Sequence, residues 1–239
     1  MTFKSLNSPN FGSKKRKNKE IQYIIIHYTG MQSMRASIKR LMDKKHQVSC
    51  HYLISRSGLV LQMVKDNKVA WHAGKSKWKK IKNLNQHSIG VELVNKGHSL
   101  GYERFTKKQI DNLLKLILTL KKKYRIKNSC ILGHSDIAPL RKIDPGEKFP
   151  WKLLSKNKIG IWYLKTQFNY TNLKKSRLRN FFFKNLYKIG YRYFNKNKAS
   201  NTNDKIIVQA FQRKFRSKKI DGLIDQETFE ISHFLALQN

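Results

Sequence analysis

Short apolar runs, each bounded by polar or turn-forming residues, recur along the first half of the chain. The runs at 21–26 (IQYIII) and 89–94 (IGVELV) are rich in β-branched residues and predict buried strands. Residues 51–54 and 59–64 lie on either side of a Ser57-Gly58 turn, a pattern that predicts a β-hairpin.

Two longer segments have apolar residues at helical spacing. The first follows Ser33, a favourable N-cap, and extends to about residue 45. The second follows Thr106 and ends in the basic run 121–123, which suits a helix C-terminus. A further strand is predicted at 130–132, so strands and helices alternate. This order predicts an α/β fold with a central mixed β-sheet flanked by helices.

The last third of the chain has a different composition, dominated by Asn, Lys and aromatic residues. It holds three helical patterns, at 178–193, 206–215 and 227–237, with a polar linker at 195–203. A helical unit of about sixty residues buries little core alone, so we expect it to dock on the main domain. The predicted organisation is a basic arm (1–20), an α/β catalytic domain (21–167) and a small three-helix domain (174–239).

The chain is strongly basic, with 51 Lys and Arg against 14 acidic residues and a formal net charge of +37. Such a field attracts any polyanion, so nucleic acid, anionic lipid and acidic wall polymers are all candidate partners. The hydrophobic content of 39% argues against a fully disordered chain.

No stretch approaches the ~20 apolar residues that cross a bilayer, and the N-terminal segment contains no continuous apolar run. We therefore expect no transmembrane segment and a cytoplasmic location, with the periplasm or cell envelope as the alternative. Cys50 and Cys130 are too few and too far apart for a metal knuckle or a disulfide framework, which predicts free thiols.

Three residues are candidate metal ligands. His27 closes one predicted strand, His134 follows another, and Asp144 lies ten residues later in a loop rich in proline. A catalytic zinc site needs three such ligands and an open fourth position for water. Spacing alone is weak support for a zinc site, because the chain contains no two metal ligands close together in sequence, such as an HxH or HExxH pair.

Five ordered motifs strengthen this hypothesis: IIIHYTG (24–30), WHAG (71–74), IGVEL (89–93), GHSD (133–136) and KIDPG (142–146). Together they resemble the type 2 N-acetylmuramoyl-L-alanine amidases, a family that includes amidase-type phage lysozymes and animal peptidoglycan recognition proteins. The SPNF sequence at 8–11 is similar to the AmiD branch.

The resemblance implies that His27, His134 and Asp144 bind Zn²⁺. It also implies that Glu92 takes a proton from the attacking water and that Lys142 stabilises the oxyanion of the tetrahedral intermediate. These roles are chemically coherent, because zinc lowers the pKa of bound water to about 7 and a cation near the oxyanion stabilises the transition state.

Other residues in or near these motifs each have two possible roles. Trp71 and His72 are predicted to contact substrate, although a structural hydrogen bond suits His72 nearly as well. The alternative for Glu92 is a position at an exposed strand edge. The alternative for Lys142 is a position on the solvated surface. Asp136 suits either an acceptor that orients the imidazole of a ligand histidine or a turn or cap. His51 is expected in the core or behind the metal ligands, as a residue that contacts them.

The segment 208–228 resembles the three-helix peptidoglycan-binding domain of wall hydrolases, with Asp225 in place of the usual second glycine. A helical cap that merely covers the catalytic domain is the alternative.

The expected function is hydrolysis of the amide between N-acetylmuramic acid and L-alanine, in peptidoglycan or in muropeptides, for wall turnover or recycling. The alternatives are a peptidoglycan-binding protein without activity and a basic nucleic-acid-binding protein. The second is disfavoured because no nucleic-acid fold signature is present and the charge is spread along the chain. No specific nucleic-acid partner is therefore expected.

Overall fold

The computed structural model describes residues 4–164, 175–195 and 203–238. A six-stranded sheet lies at its centre. In spatial order its strands are β1 (Lys4–Ser5), β5 (Val60–Gln62), β4 (Tyr52–Ile54), β9 (Ser88–Leu93), β3 (Tyr23–Tyr28) and β10 (Ile131–Gly133). Neighbouring strands run parallel except β4 and β5, which form an antiparallel hairpin. The predicted mixed sheet and hairpin are confirmed.

Two short ladders and seven helices surround this sheet in the described residues. The ladders pair β2 (Phe11–Gly12) with β6 (Val69–Ala70), and β7 (Lys77–Trp78) with β8 (Ile81–Lys82). The helices are α1 (Met34–Met42), α2 (Lys107–Tyr124), α3 (His134–Ile137), α4 (Trp151–Lys156), α5 (Lys175–Ile189), α6 (Asp204–Phe215) and α7 (Gln226–Leu237).

The two long helices of the main domain begin at the predicted caps. Ser33 Oγ accepts a hydrogen bond from Ala36 N at 3.1 Å, and Thr106 Oγ1 accepts one from Gln109 N at 3.2 Å. Each bond satisfies a backbone N–H that has no partner within the first turn. The first helix ends three residues earlier than predicted, and a 3-10 turn at Lys44–His46 follows it.

The stretch 24–26 of β3 is uniformly apolar because both faces of the sheet are covered. Ile24 and Ile26 pack in a core with α2, whereas Tyr23 and Ile25 point to the opposite face. Alternation along the strand places His27 on the same face as Tyr23 and Ile25.

The C-terminal helices cover this second face, as predicted. Phe182 on α5, Phe211 on α6 and Phe229 on α7 belong to the same apolar cluster as Ile25 and Leu132 of the sheet. Since these helices bury aromatic residues against strands of the main domain, the two parts of the chain share one core. The predicted boundary between 167 and 174 lies outside the described residues, as does most of the predicted linker at 195–203.

The segment predicted as a basic arm contacts the main domain through β1 and β2. Asn10 Nδ2 donates to Asp43 O at 2.9 Å and to Val48 O at 3.0 Å, next to the end of α1. The buried Arg16 guanidinium donates to several carbonyls, including Ser88 O at 2.7 Å. These partners lie about 30–70 residues away along the chain, so they could not be predicted from the basic composition of residues 1–20.

Candidate active site

The parallel strands β10, β3 and β9 are neighbours, so their C-terminal ends meet at one edge of the sheet. His27 lies next to the end of β3, and His134 directly follows β10. Glu92 of β9 is the register partner of His27, which places both side chains on the same face. A rigid sheet edge therefore carries three of the predicted site residues.

Asp144 completes a compact group of possible metal ligands with these two histidines. His27 Nδ1 lies 3.0 Å from His134 Nδ1 and 3.0 Å from Asp144 Oδ2, and His134 Nδ1 lies 3.1 Å from the same oxygen. All three side chains are buried. Tetrahedral zinc with bonds of about 2.0–2.1 Å separates its ligand atoms by roughly 3.3 Å, so this spacing suits such an ion.

Both histidines have a partner at the outer ring nitrogen, Nε2. A metal bound at Nδ1 of His134 requires the ring proton on Nε2, where Ala73 O lies 3.1 Å away and can accept a hydrogen bond. The Nδ1 atom of His134 is then a bare acceptor that points at His27 and Asp144. The three ligand atoms, from His27, His134 and Asp144, therefore suit a divalent metal ion.

His72 is joined to His27 by a chain of hydrogen bonds that has one direction when a metal binds at His27 Nδ1. With Nδ1 aimed at the metal position, His27 Nε2–H donates to His72 Nδ1 at 3.0 Å. His72 Nε2–H then donates to Ser88 Oγ at 3.2 Å, and Ser88 Oγ–H donates to Leu84 O at 2.6 Å. Every member of this chain is satisfied, an arrangement typical of the outer partners of metal ligands.

Two glycines of the motifs leave room for these contacts. A Cβ at Gly90 would lie 2.3 Å from His72 Cγ, so only glycine lets the imidazole approach β9. A Cβ at Gly133 would lie 2.8 Å from Pro145 Cδ, next to Asp144. The IGVEL and GHSD motifs thus require glycine for steric reasons at the site itself.

Burial and neighbouring groups favour the metal-binding forms of two ligands, His27 and Asp144. Burial, assisted by the nearby His134, lowers the pKa of His27 to about 4, so its imidazole is neutral at physiological pH. Burial opposes ionisation of Asp144, but in the metal-free protein its interactions with His134 and His27 outweigh burial and hold its pKa well below the usual range. Neutral imidazoles and an ionised carboxylate are the forms that bind zinc.

Glu92 lies beside this group in a pocket of about 410 Å³. Burial, reinforced by the charge of Asp144, raises the pKa of Glu92 to about 8. Its Oε2 atom is buried and has no hydrogen-bond partner among the described residues. A buried carboxylate oxygen with no partner is costly in a purely structural role, which favours a functional interpretation.

The same pocket is lined by the other predicted site residues. Trp71, His72 and Lys142 all contribute to its wall, and Lys142 is half-buried. Arg141, which the sequence did not single out, lines it too and donates to Ala73 O and to Lys75 O. No local pattern marks Arg141, because its acceptors lie more than sixty residues earlier.

Asp136 and His51 lie outside the metal group. Asp136 Oδ2 accepts a hydrogen bond from Gly133 N at 2.7 Å and caps α3, so the cap interpretation is the one the structure supports. The proline-rich loop that holds Asp144 is thus preceded by a helical turn, α3. His51 is buried in the core, and its Nδ1 accepts from Gly90 N at 2.9 Å.

The chain is similar in sequence to proteins of one known family. Residues 17–147 match the family model described as N-acetylmuramoyl-L-alanine amidase. N-acetylmuramoyl-L-alanine amidase AmiD of Escherichia coli is 33% identical over 235 residues, covering 90% of this chain and 82% of that protein. The 1,6-anhydro-N-acetylmuramyl-L-alanine amidase AmpD of Haemophilus influenzae is 32% identical over 167 residues, covering 62% of this chain and 88% of that protein.

Solved structures extend the similarity to nearly the whole chain. The complex of E. coli AmiD with the substrate anhydro-N-acetylmuramic acid-L-Ala-D-gamma-Glu-L-Lys superposes with a TM-score of 0.80 at 31% identity, covering 92% of this chain and 90% of that one. AmpDh3 of Pseudomonas aeruginosa in complex with anhydromuramic pentapeptide gives a TM-score of 0.79 at 28% identity, with 96% of both chains covered.

Proposed function

Because the chain belongs to the N-acetylmuramoyl-L-alanine amidase family, we propose that it is a zinc hydrolase that cleaves the amide between N-acetylmuramic acid and L-alanine. The observation that carries the zinc assignment is the convergence of His27 Nδ1, His134 Nδ1 and Asp144 Oδ2 within hydrogen-bond distance of one another. When bound, zinc supplies Lewis-acid chemistry, since it lowers the pKa of water and polarises the scissile carbonyl.

Glu92 is proposed to accept the proton of the attacking water. Its raised pKa means that the ionised carboxylate is a stronger base than that of an exposed glutamate. The same group then delivers the proton to the leaving nitrogen of L-alanine as the C–N bond breaks. One carboxyl group thus serves both proton transfers, and the products are a muramic acid carboxylate and a free peptide amine.

Lys142 is proposed to stabilise the oxyanion that develops on the lactyl carbonyl. It lines the same pocket as Glu92 and Asp144, and removal of a comparable donor typically costs a factor of ~10²–10³ in kcat. Trp71 and His72 border the pocket, and Trp71 is proposed to contact substrate. His72 borders the pocket and lies within hydrogen-bond distance of His27, so we propose that it contacts substrate, with the orientation of His27 as the alternative role.

The proposed substrates are muropeptides and peptidoglycan. Two relatives of similar fold were solved with anhydromuramic peptides, which supports a ligand with a muramic acid and a stem peptide. The similarity to AmiD and AmpD supports roles in wall turnover or recycling. We further propose that the C-terminal helices assist binding to the wall, in line with their resemblance to peptidoglycan-binding domains.

The test is the release of free peptide from purified muropeptides. We expect turnover by the zinc-loaded protein, loss of turnover after removal of the metal with a chelator, and recovery when Zn²⁺ is added back. Full activity in metal-free protein would contradict the zinc mechanism. Binding of muropeptides without any release of peptide would favour the alternative of a binding protein without activity.

The cellular compartment stays a prediction. In the described residues, no helix combines the length and the apolar character needed to cross a bilayer. Parallel digestion of intact sacculi and of soluble anhydromuropeptides distinguishes a wall-associated role from recycling of fragments, and fractionation of cells locates the protein.

A further inference from the structure

A second depression lies at the seam between the catalytic domain and the C-terminal helices. Its volume is about 460 Å³, within the range of sites that hold small ligands. One wall comes from residues 147–152 and from Trp162 and Tyr163, and the other comes from residues 214–219 at the end of α6. We refer to it as the seam groove. The proposed amide hydrolysis does not use it.

Aromatic side chains line the seam groove. The rings of Trp162 and Tyr163 are stacked, with centroids 5.1 Å apart and an interplanar angle of 23°, and both side chains are half-buried. Trp162 also packs against Phe215 of α6 at 5.7 Å. Aromatic rings that are partly exposed in a concave site offer flat apolar faces on which a sugar ring can stack.

The lining of the seam groove is strongly cationic. Lys148, Lys152 and Lys218 are exposed there, and among the described residues none of the three forms an ion pair with a carboxylate. The two carboxylates of the lining are already engaged. Glu147 Oε2 lies 3.0 Å from His98 Nε2, and Glu227 Oε2 accepts from Arg216 Nε at 2.6 Å. The groove therefore attracts a ligand with negative charge.

The seam groove and the active-site pocket border opposite ends of one short loop. Ile143 and Asp144 line the pocket, and Glu147 begins the lining of the groove only three residues later. Three residues of chain span at most about 10 Å, so the groove is within reach of a polymer that is bound at the pocket. This continuity favours an extended substrate over an unrelated anion.

We propose that the seam groove binds the glycan strand of peptidoglycan, with a sugar ring on Trp162 and stem-peptide carboxylates near Lys152 and Lys218. This proposal rests on the proposed function and deepens it, because it assigns wall binding to the junction of the two parts of the chain. It also makes intact wall a better ligand than isolated muropeptides.

The experiment measures sedimentation of the zinc-loaded protein with purified sacculi at low temperature, over a salt series. The double variant Lys152→Ala/Lys218→Ala is expected to bind about fivefold to tenfold more weakly, as for the loss of two exposed ion pairs. Trp162→Ala is expected to lose about tenfold. Turnover of soluble muropeptides is measured in parallel, and for the lysine variant it should stay within about twofold of the parent protein. Unchanged turnover shows that the fold and the catalytic site are intact.

The matched control is Lys115→Ala/Lys122→Ala, which removes the same charge from the exposed side of α2. Sacculus binding that is unchanged in the groove variant, or reduced equally in the control, would overturn the proposal. The protein is also tested for binding to single-stranded DNA. If it binds DNA more tightly than sacculi, and through the same lysines, the groove is a nucleic-acid site and the proposal is overturned. If binding to sacculi depends on the groove but the protein shows no zinc-dependent turnover, only the hydrolase proposal is contradicted.

Discussion

Lys214 Nζ lies 2.6 Å from Asp136 Oδ2, and both side chains are buried at the junction of α6 and α3. The other carboxylate oxygen of Asp136 accepts a hydrogen bond from Tyr191 OH at 2.6 Å. Asp136 also caps the helical turn that starts with His134. An aspartate next to a proposed metal ligand is therefore held by two residues of the C-terminal part of the chain.

The first prediction concerns this ion pair. Replacing Lys214 by Met leaves the Asp136 carboxylate buried without its cation, so we expect the free energy of unfolding to fall by about 3–5 kcal/mol. Chemical denaturation measures the change. Lys205→Met on the exposed side of the same helix is the control, and we expect it to stay within about 0.5 kcal/mol of the parent protein.

The double variant Lys214→Met/Asp136→Asn adds a second check. Removing both charges eliminates the uncompensated carboxylate, so this variant should recover a large part of the lost stability. Equal stability of the two variants would show that the charge of Asp136 is not the source of the effect.

The second prediction separates the two interpretations of His72. If His72 positions His27, then His72→Gln lowers zinc affinity by about 10–100-fold, the usual cost of losing the outer partner of a ligand. Competition with a metal indicator measures the affinity. Ser88→Ala, which removes only the far end of the chain of hydrogen bonds, should have a smaller effect. A raised KM for muropeptide with unchanged zinc affinity would identify His72 as a substrate contact instead.

The third prediction concerns Glu92. Glu92→Gln should retain zinc but lower kcat by about 10²–10⁴, the range for loss of a general base. Metal analysis and peptide release are measured on the same sample. Asp144→Asn serves as the contrasting variant, because we expect it to lower zinc affinity itself by more than about 100-fold. Turnover by Glu92→Gln close to that of the parent protein would remove Glu92 from the mechanism.

The fourth prediction follows from the raised pKa of Glu92. In metal-free protein the folded state keeps a proton on Glu92 up to a pKa of about 8, whereas the unfolded chain releases it near 4.5. Between these values the folded state binds more protons, so this contribution to stability is present below pH 4.5 and is lost as pH rises toward 8.

Denaturation of the chelated protein across this pH range tests the prediction, with Glu92→Gln as the reference. The stability of the parent relative to the variant should decline as pH rises, with a slope of up to about 1.4 kcal/mol per pH unit. A difference that is independent of pH would show that Glu92 ionises normally in the folded protein.

Much of the fold could be predicted from the sequence because its signals are local. The β-branched runs, the caps at Ser33 and Thr106 and the turn before residue 59 each lie within a few residues of the structure they predict. The same is true of the motifs around His27, His134 and Asp144, whose order along the chain indicated the family. The sequence by itself thus determined five of the six strands of the central sheet, five of the seven helices of the described residues, and the candidate ligands.

Tertiary structure alone decided how these residues are supported. His72 reaches His27 across 45 residues, and Lys214 reaches Asp136 across 78. Nothing in the neighbourhood of Lys214 distinguishes it from the other cations of so basic a chain. Contacts of this kind depend on which elements pack together, and packing is a property of the whole core that no short pattern encodes.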